Sequence, residues 1–406
     1  MDDCKLGKIL LISNVYPTGR TDYVGTPVCH YFTREWLKLG YDVRVIHFDS
    51  LFPKTYYWFG SFFQSLIRAK TGCGVNIDTP CAPQKYSVDG IPVLFVPLRK
   101  NIPHHTFSKK VMKKGFDIVC EYLSSCDFKP DVIVGHFILP QLQFLHMFKH
   151  KFSDVKTTMV LHGDGSKIRA IYGKNYKIFM ESVDVWGFRS IAFKQKFESL
   201  YGVQRNEFLC YSGIPEEYVS LKKRSFENGI IHFSFLGSLY KLKRVEDTLR
   251  ALNIVYGNDA YRFDIIGSGY EESRLKKLVV SLNMEENVIF HGRKKRNEAQ
   301  LIVEQSDCFI MVSEHEAFGL VYVEAMAKGC ITVATRGQGI DGVIIDGENG
   351  FLCESKNVDE LAKVINKIRN LSAFELSRIS KNAINTAAQL TNKKVAESYI
   401  MSALNC

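Results

Sequence analysis

Short apolar runs alternate with longer helical patterns along almost the entire chain, and the alternation starts afresh after about residue 230. A chain patterned this way has few options. Each apolar run becomes a strand, each amphipathic stretch packs across the strands as a helix, and the product is a parallel sheet covered by helices. In the first half, strands are expected at Lys8–Ser13, Asp42–Phe48, Val93–Leu98, Val132–His136, Thr158–His162 and Asp184–Phe188, with helices at Val28–Leu39 (ended by Gly40) and Ser108–Leu123. The near-continuous apolar character of Ile9–Ile12 and Val132–Val134 suits strands buried on both faces. In the second half, strands are expected at Ile231–Leu236, Phe263–Ile266, Val288–Phe290, Cys308–Val312 and Ile331–Ala334. The matching helices are Val245–Tyr256, Glu271–Leu282, Glu298–Gln305, Leu320–Lys328 and Asp359–Asn370. The polar, charged stretch Pro215–Gly229 between the halves is the expected linker. Two doubly wound α/β domains of about 200 residues each follow. The sequence has no short-period repeat and no low-complexity segment.

The 406 residues are 46% hydrophobic and 24% charged, within the globular range. This excludes a disordered chain, a collagen-like chain and a small disulfide scaffold. No run reaches the roughly 18 apolar residues of a membrane-spanning helix. Two acids precede the short run Ile9–Ile12, the pattern of a first strand and not of a signal peptide. The 11 cysteines are scattered, with no C-x-x-C pair, so neither a zinc site nor a disulfide framework is expected. Free thiols point to a reducing compartment, most simply the cytoplasm.

The net charge of +10 is unevenly spread. Residues 1–206 hold 28 Lys and Arg against 17 Asp and Glu, whereas residues 207–406 hold 25 against 26. The first half is therefore expected to meet something anionic, or else simply carries a basic solvated surface. One segment breaks the pattern: Tyr56-Tyr57-Trp58-Phe59-Gly60-Ser61-Phe62-Phe63, followed by Arg68 and Lys70. Arg99, Lys100, Lys109, Lys110, Lys113 and Lys114 come later with no acid among them. Aromatic anchors beside cations suit an interfacial membrane contact; an aromatic cluster under a long loop beside a solvated helix face fits equally.

The chemistry concentrates in the second half. After the strand Cys308–Val312 comes Ser313-Glu314-His315-Glu316-Ala317-Phe318-Gly319, then a helix Leu320–Lys328 stopped by Gly329. Amides at the turn Phe318-Gly319-Leu320 and the positive helix end converge as an anion site, and Gly319 permits close approach. Glu316 and Glu324 are eight residues apart, roughly 12 Å of helix, and could hold the two ends of one elongated ligand. Glu324 alone would pass for an ordinary exposed helical acid. The segment Phe235-Leu236-Gly237-Ser238-Leu239-Tyr240-Lys241-Leu242-Lys243-Arg244 is a strand, a glycine turn and cations before a helix, which suits a diphosphate. Ile266-Gly267-Ser268-Gly269 is a weaker signal, and Gly337-Gln338-Gly339 and Asp346-Gly347-Glu348-Asn349-Gly350 follow at the ends of later strands.

Together these residues resemble the retaining glycosyltransferases of family 4 (glycosyl transferases group 1). The resemblance is carried by Glu316 and Glu324 in an E-x7-E spacing, Phe318-Gly319-Leu320, the run Glu324-Ala325-Met326-Ala327 with Gly329, and the Asp346–Gly350 turn. The Gly237 turn with Lys243 matches the family's diphosphate-binding segment, and Ser212-Gly213-Ile214-Pro215 the element ending its first domain. Tyr16-Pro17 with Gly25-Thr26 resembles the glycine loop after strand one; His136 and the turn His162-Gly163-Asp164 end later strands. Ser238 departs from the pattern where many members carry arginine, with Lys241 or Arg244 as substitutes, and Ala317 departs where glycine is frequent.

The resemblance implies the GT-B fold: two Rossmann-like domains facing across a cleft. Residues 1–214, with a C-terminal helix at about 391–406, would bind the acceptor; 215–229 would link to a nucleotide-sugar domain at 230–390. The stretch Asn392–Leu404 would cross back onto the first domain. The implied reaction is retaining transfer of a sugar from a nucleotide diphospho-sugar to a saccharide acceptor, lipid-linked, in polysaccharide or glycolipid assembly. Glu316, His162 and Lys243 would be catalytic. Gly237, Ser238, Lys243, Arg244, Phe318, Gly319, Leu320 and Glu324 would bind the donor, with Glu324 on the ribose hydroxyls. Gly25, Thr26, His136 and Asp164 would line the acceptor side. No cofactor or metal is expected, since no Asp-x-Asp or His/Cys ligand cluster stands out. No nucleic acid is expected either; the cytoplasmic face of an anionic membrane is the expected surface. A nucleotide-sugar 2-epimerase shares the fold but would need an acid/base at the sugar's second carbon, for which no motif is visible. A non-catalytic saccharide- or nucleotide-binding protein would keep the pockets and transfer nothing.

Overall fold

The computed structural model describes residues 7–18, 27–55, 57–58, 80–100, 106–220 and 224–404. Gly25, Thr26 and most of the aromatic segment 56–63, with Arg68 and Lys70, lie outside the described residues. The chain divides into two compact units: Met1–Arg189 with Phe193–Tyr211 and Asn392–Cys406, and Ser190–Ala192 with Ser212–Thr391.

The first unit is built on an eight-stranded sheet. Its strands are β1 (Lys8–Ser13), β2 (Asp42–Leu51), β3 (Gln84–Val88), β4 (Ile91–Arg99), β5 (Val132–His136), β6 (Lys156–Leu161), β7 (Val185–Phe188) and β8 (Glu207–Leu209). They run in the order β3-β4-β2-β1-β5-β6-β7-β8. All pairs are parallel except β3 with β4. β3 is an addition to the expected strands. Its sequence Gln-Lys-Tyr-Ser-Val is mostly polar because an edge strand lies open to water. The interior β1 and β5 are buried along almost their full length, which is why their residues are continuously apolar. Helices Lys109–Ser125 and Gln141–Lys151 pack on the sheet through Phe116, Phe144 and Phe148; Phe144 stacks on Phe48 at 4.1 Å. The C-terminal helix Asn392–Leu404 packs on helix Val28–Lys38, where Trp36 Nε1 donates to the Ala396 carbonyl at 2.9 Å.

The second unit holds an all-parallel six-stranded sheet in the order β11-β10-β9-β12-β13-β14. Its strands are β9 (His232–Leu236), β10 (Arg262–Ile266), β11 (Val288–Gly292), β12 (Cys308–Ile310), β13 (Ile331–Thr335) and β14 (Phe351–Cys353). Helices Val245–Tyr256, Glu272–Ser281, Arg296–Gln305, Leu320–Ala327 and Val358–Arg369 match the expected ones to within two residues. Helix Ala373–Ala387 is an addition, closed by a capping box between Ser372 and Glu375.

The described part of Pro215–Gly229 is bound to the second unit and does not act as a free tether. Ser220 N donates to the Ala327 carbonyl at 2.8 Å. Arg224 donates to the carbonyls of Lys328, Ser306 and Glu304, closing the C-terminal ends of two helices. Ile214 bridges Thr391, so both boundaries of this unit are stitched together.

Strand order locates where ligands can enter. Each sheet reverses its winding once, between β1 and β5 and between β9 and β12. Open α/β sheets bind ligands beyond the strand carboxyl ends at such a reversal. In the first unit these ends are Ser13 and His136; in the second they lead into Gly237 and Ser313. Among the described residues no helix is long and apolar enough to cross a membrane.

Candidate functional site

In the second unit, the turns after β9 and β12 meet. The chain leaves β9 through Gly237, whose amide donates to the Ile266 carbonyl at 3.0 Å. A short 3-10 turn, Lys241–Lys243, follows, and Arg244 takes a left-handed conformation to start helix Val245–Tyr256. This places Lys243 Nζ in an ion pair with Glu316 Oε2. Ser313 Oγ reaches the same oxygen at 3.4 Å. The backbone of Glu316 is clamped from behind: its amide donates to Gln338 Oε1 at 3.1 Å, and its carbonyl accepts from Gly339 N at 3.0 Å.

Helix Leu320–Ala327 then begins at Gly319, which has φ of 80° and no capping side chain. A Cβ there would lie 2.3 Å from the Tyr322 ring, so only glycine fits. Gly319 supplies no side-chain cap and its carbonyl takes the Tyr322 amide at 2.9 Å, and a helix start of this kind turns its leading amides toward an anion. Phe318 is buried and Leu320 partly so. The loop Gly337-Gln338-Gly339 presses on this turn so closely that a Cβ at Gly339 would sit 2.4 Å from Phe318 N.

Glu324 is only 5% exposed. Arg296 pairs with one carboxylate oxygen and Gln300 Nε2 donates to the other at 2.6 Å. Burial pushes the Glu324 carboxyl above the usual carboxylate range, and Arg296 counters that push. Arg296 and Gln300 were not singled out from the sequence, although their i,i+4 spacing sets them on one face of their helix.

Of the two candidate substitutes for the arginine replaced by Ser238, Arg244 is engaged elsewhere. It grips Asp247 with two hydrogen bonds of 2.8 Å and approaches Glu314 at 3.7 Å. Lys241 is exposed, as is Ser238. The glycines after β10 serve packing: a Cβ at Gly267 would fall 1.8 Å from the Gly237 carbonyl oxygen, and one at Gly269 2.3 Å from that of Leu239. They let two strand-end loops touch backbone to backbone. The Asp346–Gly350 segment likewise folds on itself. Asn349 accepts from Ile345 N at 2.7 Å and donates to the Val343 carbonyl at 2.9 Å, which turns the chain into β14.

In the first unit, His136 ends β5 and is wholly buried. Its Nδ1 lies 2.9 Å from His162 Nε2, just beyond β6, and its Nε2 lies 3.1 Å from the Tyr399 hydroxyl. His162 stacks on Phe137 at 3.9 Å between ring centres. Burial, with the positive charge of Arg189, pushes His136 down to about 3; the same two causes and His136 itself hold His162 well below the usual imidazole value. Burial thus favours the neutral form of both imidazoles. Asp164 accepts from Ser166 N at 3.0 Å and Ser166 Oγ at 2.7 Å. Burial raises its pKa, but these bonds outweigh it and hold the carboxyl low. Asp164 thus shapes the turn into helix Ile168–Tyr172.

The two histidines and Cys29 bring three ligand-type atoms within 4.8 Å of one another, a cluster that no sequence spacing announced. Its geometry favours hydrogen bonding over cation binding. The two imidazoles bond directly to each other, Arg189 adds positive charge, and burial pushes the Cys29 thiol up to about 12, away from the thiolate that binds metal.

Residues 221–386 match the family described as glycosyl transferases group 1. The N-acetyl-alpha-D-glucosaminyl L-malate synthase of Bacillus anthracis is 29% identical over 238 residues, covering 55% of this chain and 61% of that protein. The chain spans between 42% and 66% of the length of the first curated relatives it matches. Among solved structures, the lipopolysaccharide outer core galactosyltransferase WaaB superposes with a TM-score of 0.69 at 14% identity, covering 98% of this chain and 99% of that one. Anabaena Alr3699/HepE, solved with UDP and glucose, superposes with a TM-score of 0.65 at 17% identity, covering 98% and 100%. The fold is the GT-B fold of these structures.

Proposed function

We propose, from the match of residues 221–386 to the family of glycosyl transferases group 1, that this chain transfers a sugar from a nucleotide diphospho-sugar to a saccharide acceptor with retention of configuration. The observation that carries the reading is the Lys243–Glu316 pair at the reversal point of the second sheet, beside the uncapped helix start at Gly319. A diphosphate needs cations and backbone amides converging on one spot, and a sugar needs a carboxylate beside them.

In this reading the Gly237 turn, Ser238, Lys243 and the amides of Phe318, Gly319 and Leu320 hold the diphosphate and sugar oxygens. Lys243 stabilises the charge growing on the departing diphosphate. Lys241, exposed beside Ser238, supplies the charge that Arg244, bound to Asp247, does not. Glu316 faces the transferred sugar. Glu324, whose charge Arg296 favours against the push of burial, has lone pairs left for ribose hydroxyls. Neutral His162, with His136 and Asp164 near it in the fold, serves the acceptor side, as would Gly25 and Thr26. Protein cations meet the diphosphate, so the step as written calls for no metal or other cofactor.

The UDP bound to Alr3699/HepE supports a UDP-sugar as the first donor to try, and the lipopolysaccharide role in WaaB's name supports a lipid-linked acceptor. The exposed Lys109, Lys110, Lys113 and Lys114 at the start of helix Lys109–Ser125 support an anionic membrane surface on the cytoplasmic side.

The test is transfer of radiolabelled sugar from UDP- and GDP-sugars, after a thermal-stabilisation screen of both donor sets. Glu324→Ala is expected to remain folded and lose transfer. Full transfer by that variant, or no stabilisation by any nucleotide sugar, refutes the reading. Sedimentation with vesicles tests the surface: equal binding to neutral and anionic lipid counts against it.

A further inference from the structure

The Tyr399–His136–His162 chain has only one arrangement of protons that leaves no buried donor unpaired. Tyr399 is 1% exposed, and its ring packs among Phe32, Trp36 and Phe208. Among the described residues its hydroxyl has one partner, His136 Nε2 at 3.1 Å. Burial holds this phenol well above its usual pKa, so it keeps its proton. If His136 carried its proton on Nε2, the Tyr399 O–H would be left without an acceptor in a buried site, which is costly. The hydroxyl therefore donates to Nε2. A neutral His136 then carries its proton on Nδ1, and that proton goes to His162 Nε2 at 2.9 Å. A neutral His162 whose Nε2 accepts carries its own proton on Nδ1.

We infer that Tyr399 and His136 are positioning residues that lock His162 as the Nδ1–H tautomer, so that His162 meets its ligand as a hydrogen-bond donor and not as a base. The ligand atom it takes is accordingly an acceptor oxygen, such as a saccharide hydroxyl or a carbonyl. The stack on Phe137 fixes the ring plane, and Phe137 itself takes φ of 72°, a conformation few non-glycine residues adopt. The groups around the pair keep it neutral. Arg189 adds to the burial that holds both imidazoles low, and Cys29 and Cys210 are buried thiols with raised pKa values. The lock draws on three distant segments, β5, the turn after β6 and the C-terminal helix. This gives helix Asn392–Leu404 a part in the chemistry of the first unit beyond covering its core.

The tautomer is readable without substrate. Only the kinetic arm rests on the proposed transferase reading. A long-range proton–nitrogen spectrum of the full-length protein, labelled at histidine nitrogens, is expected to show His136 and His162 each protonated at Nδ1 and unchanged between about pH 6 and 8. Protonation of His162 at Nε2, or titration of either ring in that range, overturns the inference. Tyr399→Phe removes the O–H that sets the chain. It is expected to mix the two tautomers of His136 and lower kcat about two- to tenfold with the donor KM unchanged. His136→Asn places an amide N–H near the lost Nδ1–H and is expected to keep more activity than His136→Leu. Equal activity of the two overturns the positioning role. If the His136 variants fail to fold, the wild-type spectrum still decides. A spectrum as expected, with full transfer by His162→Ala, refutes the placement of His162 in the transferase site and leaves the tautomer assignment standing.

Discussion

Lys243 Nζ and Glu316 Oε2 form an ion pair across 73 positions of sequence, joining the turn after β9 to the turn after β12. The pair holds a cation and a carboxylate side by side at the point where the parallel sheet reverses. In the proposed reading, a diphosphate that takes the lysine leaves the carboxylate facing the sugar.

Lys243→Met is therefore expected to lower kcat by about two to three orders of magnitude, the usual cost of losing one charge-stabilising donor. Thermal stability should change little, because both partners remain partly exposed. Steady-state kinetics and a melting curve on the same preparation check this. Unchanged kcat would remove Lys243 from the site.

Arg296 and Glu324 make a pH-dependent pair. Burial raises the Glu324 pKa and Arg296 offsets part of that rise. The carboxylate form, which the proposed reading needs to accept from ribose hydroxyls, is lost as pH falls through the raised pKa. Arg296→Met removes the offset, so nucleotide affinity should begin to fail at a higher pH than in the wild type. Calorimetric titration with the nucleotide diphosphate from about pH 5 to 8 reads the shift. Parallel pH profiles in the two proteins would contradict it.

Gly319→Ala must place a methyl group 2.3 Å from the Tyr322 ring at φ of 80°. Left-handed backbone alone costs about 1–2 kcal/mol for a residue with Cβ. Tyr322 is held by its hydroxyl on the Met311 carbonyl at 2.6 Å and has little room to yield. The variant should unfold at lower urea concentration than the wild type and lose donor binding more than its stability loss explains.

Asp264 is fully buried and is held by His232, Arg262 and His291. Burial raises its pKa, but these three hydrogen bonds dominate and hold it far below the usual carboxylate value. A depressed acid contributes stability that is present above its unfolded pKa of about 3.9 and lost as pH falls below it. Asp264→Asn should cost on the order of 1–3 kcal/mol at neutral pH. Its urea midpoint should also fall less steeply than that of the wild type below about pH 4. Identical acid profiles would assign the loss to another carboxylate.

Most strands were readable because interior parallel strands are apolar on both faces, as in Ile9–Ile12 and Val132–Val134. β3 and β8 escaped for the opposite reason: both are short or polar and lie at sheet edges. Helix Gln141–Lys151 was also unmarked, since its apolar residues do not keep to one stripe. Helix Ala373–Ala387 carried a readable signal in Ser372 and Glu375, three residues apart. Near the candidate site, Gly319 and the segment around Glu316 stood out because local spacing reports local geometry.

The amino-acid sequence by itself determined the two α/β halves, the turn at Phe318-Gly319-Leu320 and the presence of a cationic loop after one strand and an acidic loop after another. Each of these follows from patterns a few residues long, acting through propensity and burial. Only the tertiary structure decided that Arg244 belongs to Asp247, that Glu324 is shared by Arg296 and Gln300, and that Tyr399 stands behind His136. Ion pairs and hydrogen bonds between segments depend on where side-chain atoms meet after the chain has packed, and no local pattern encodes which of several nearby charges will meet.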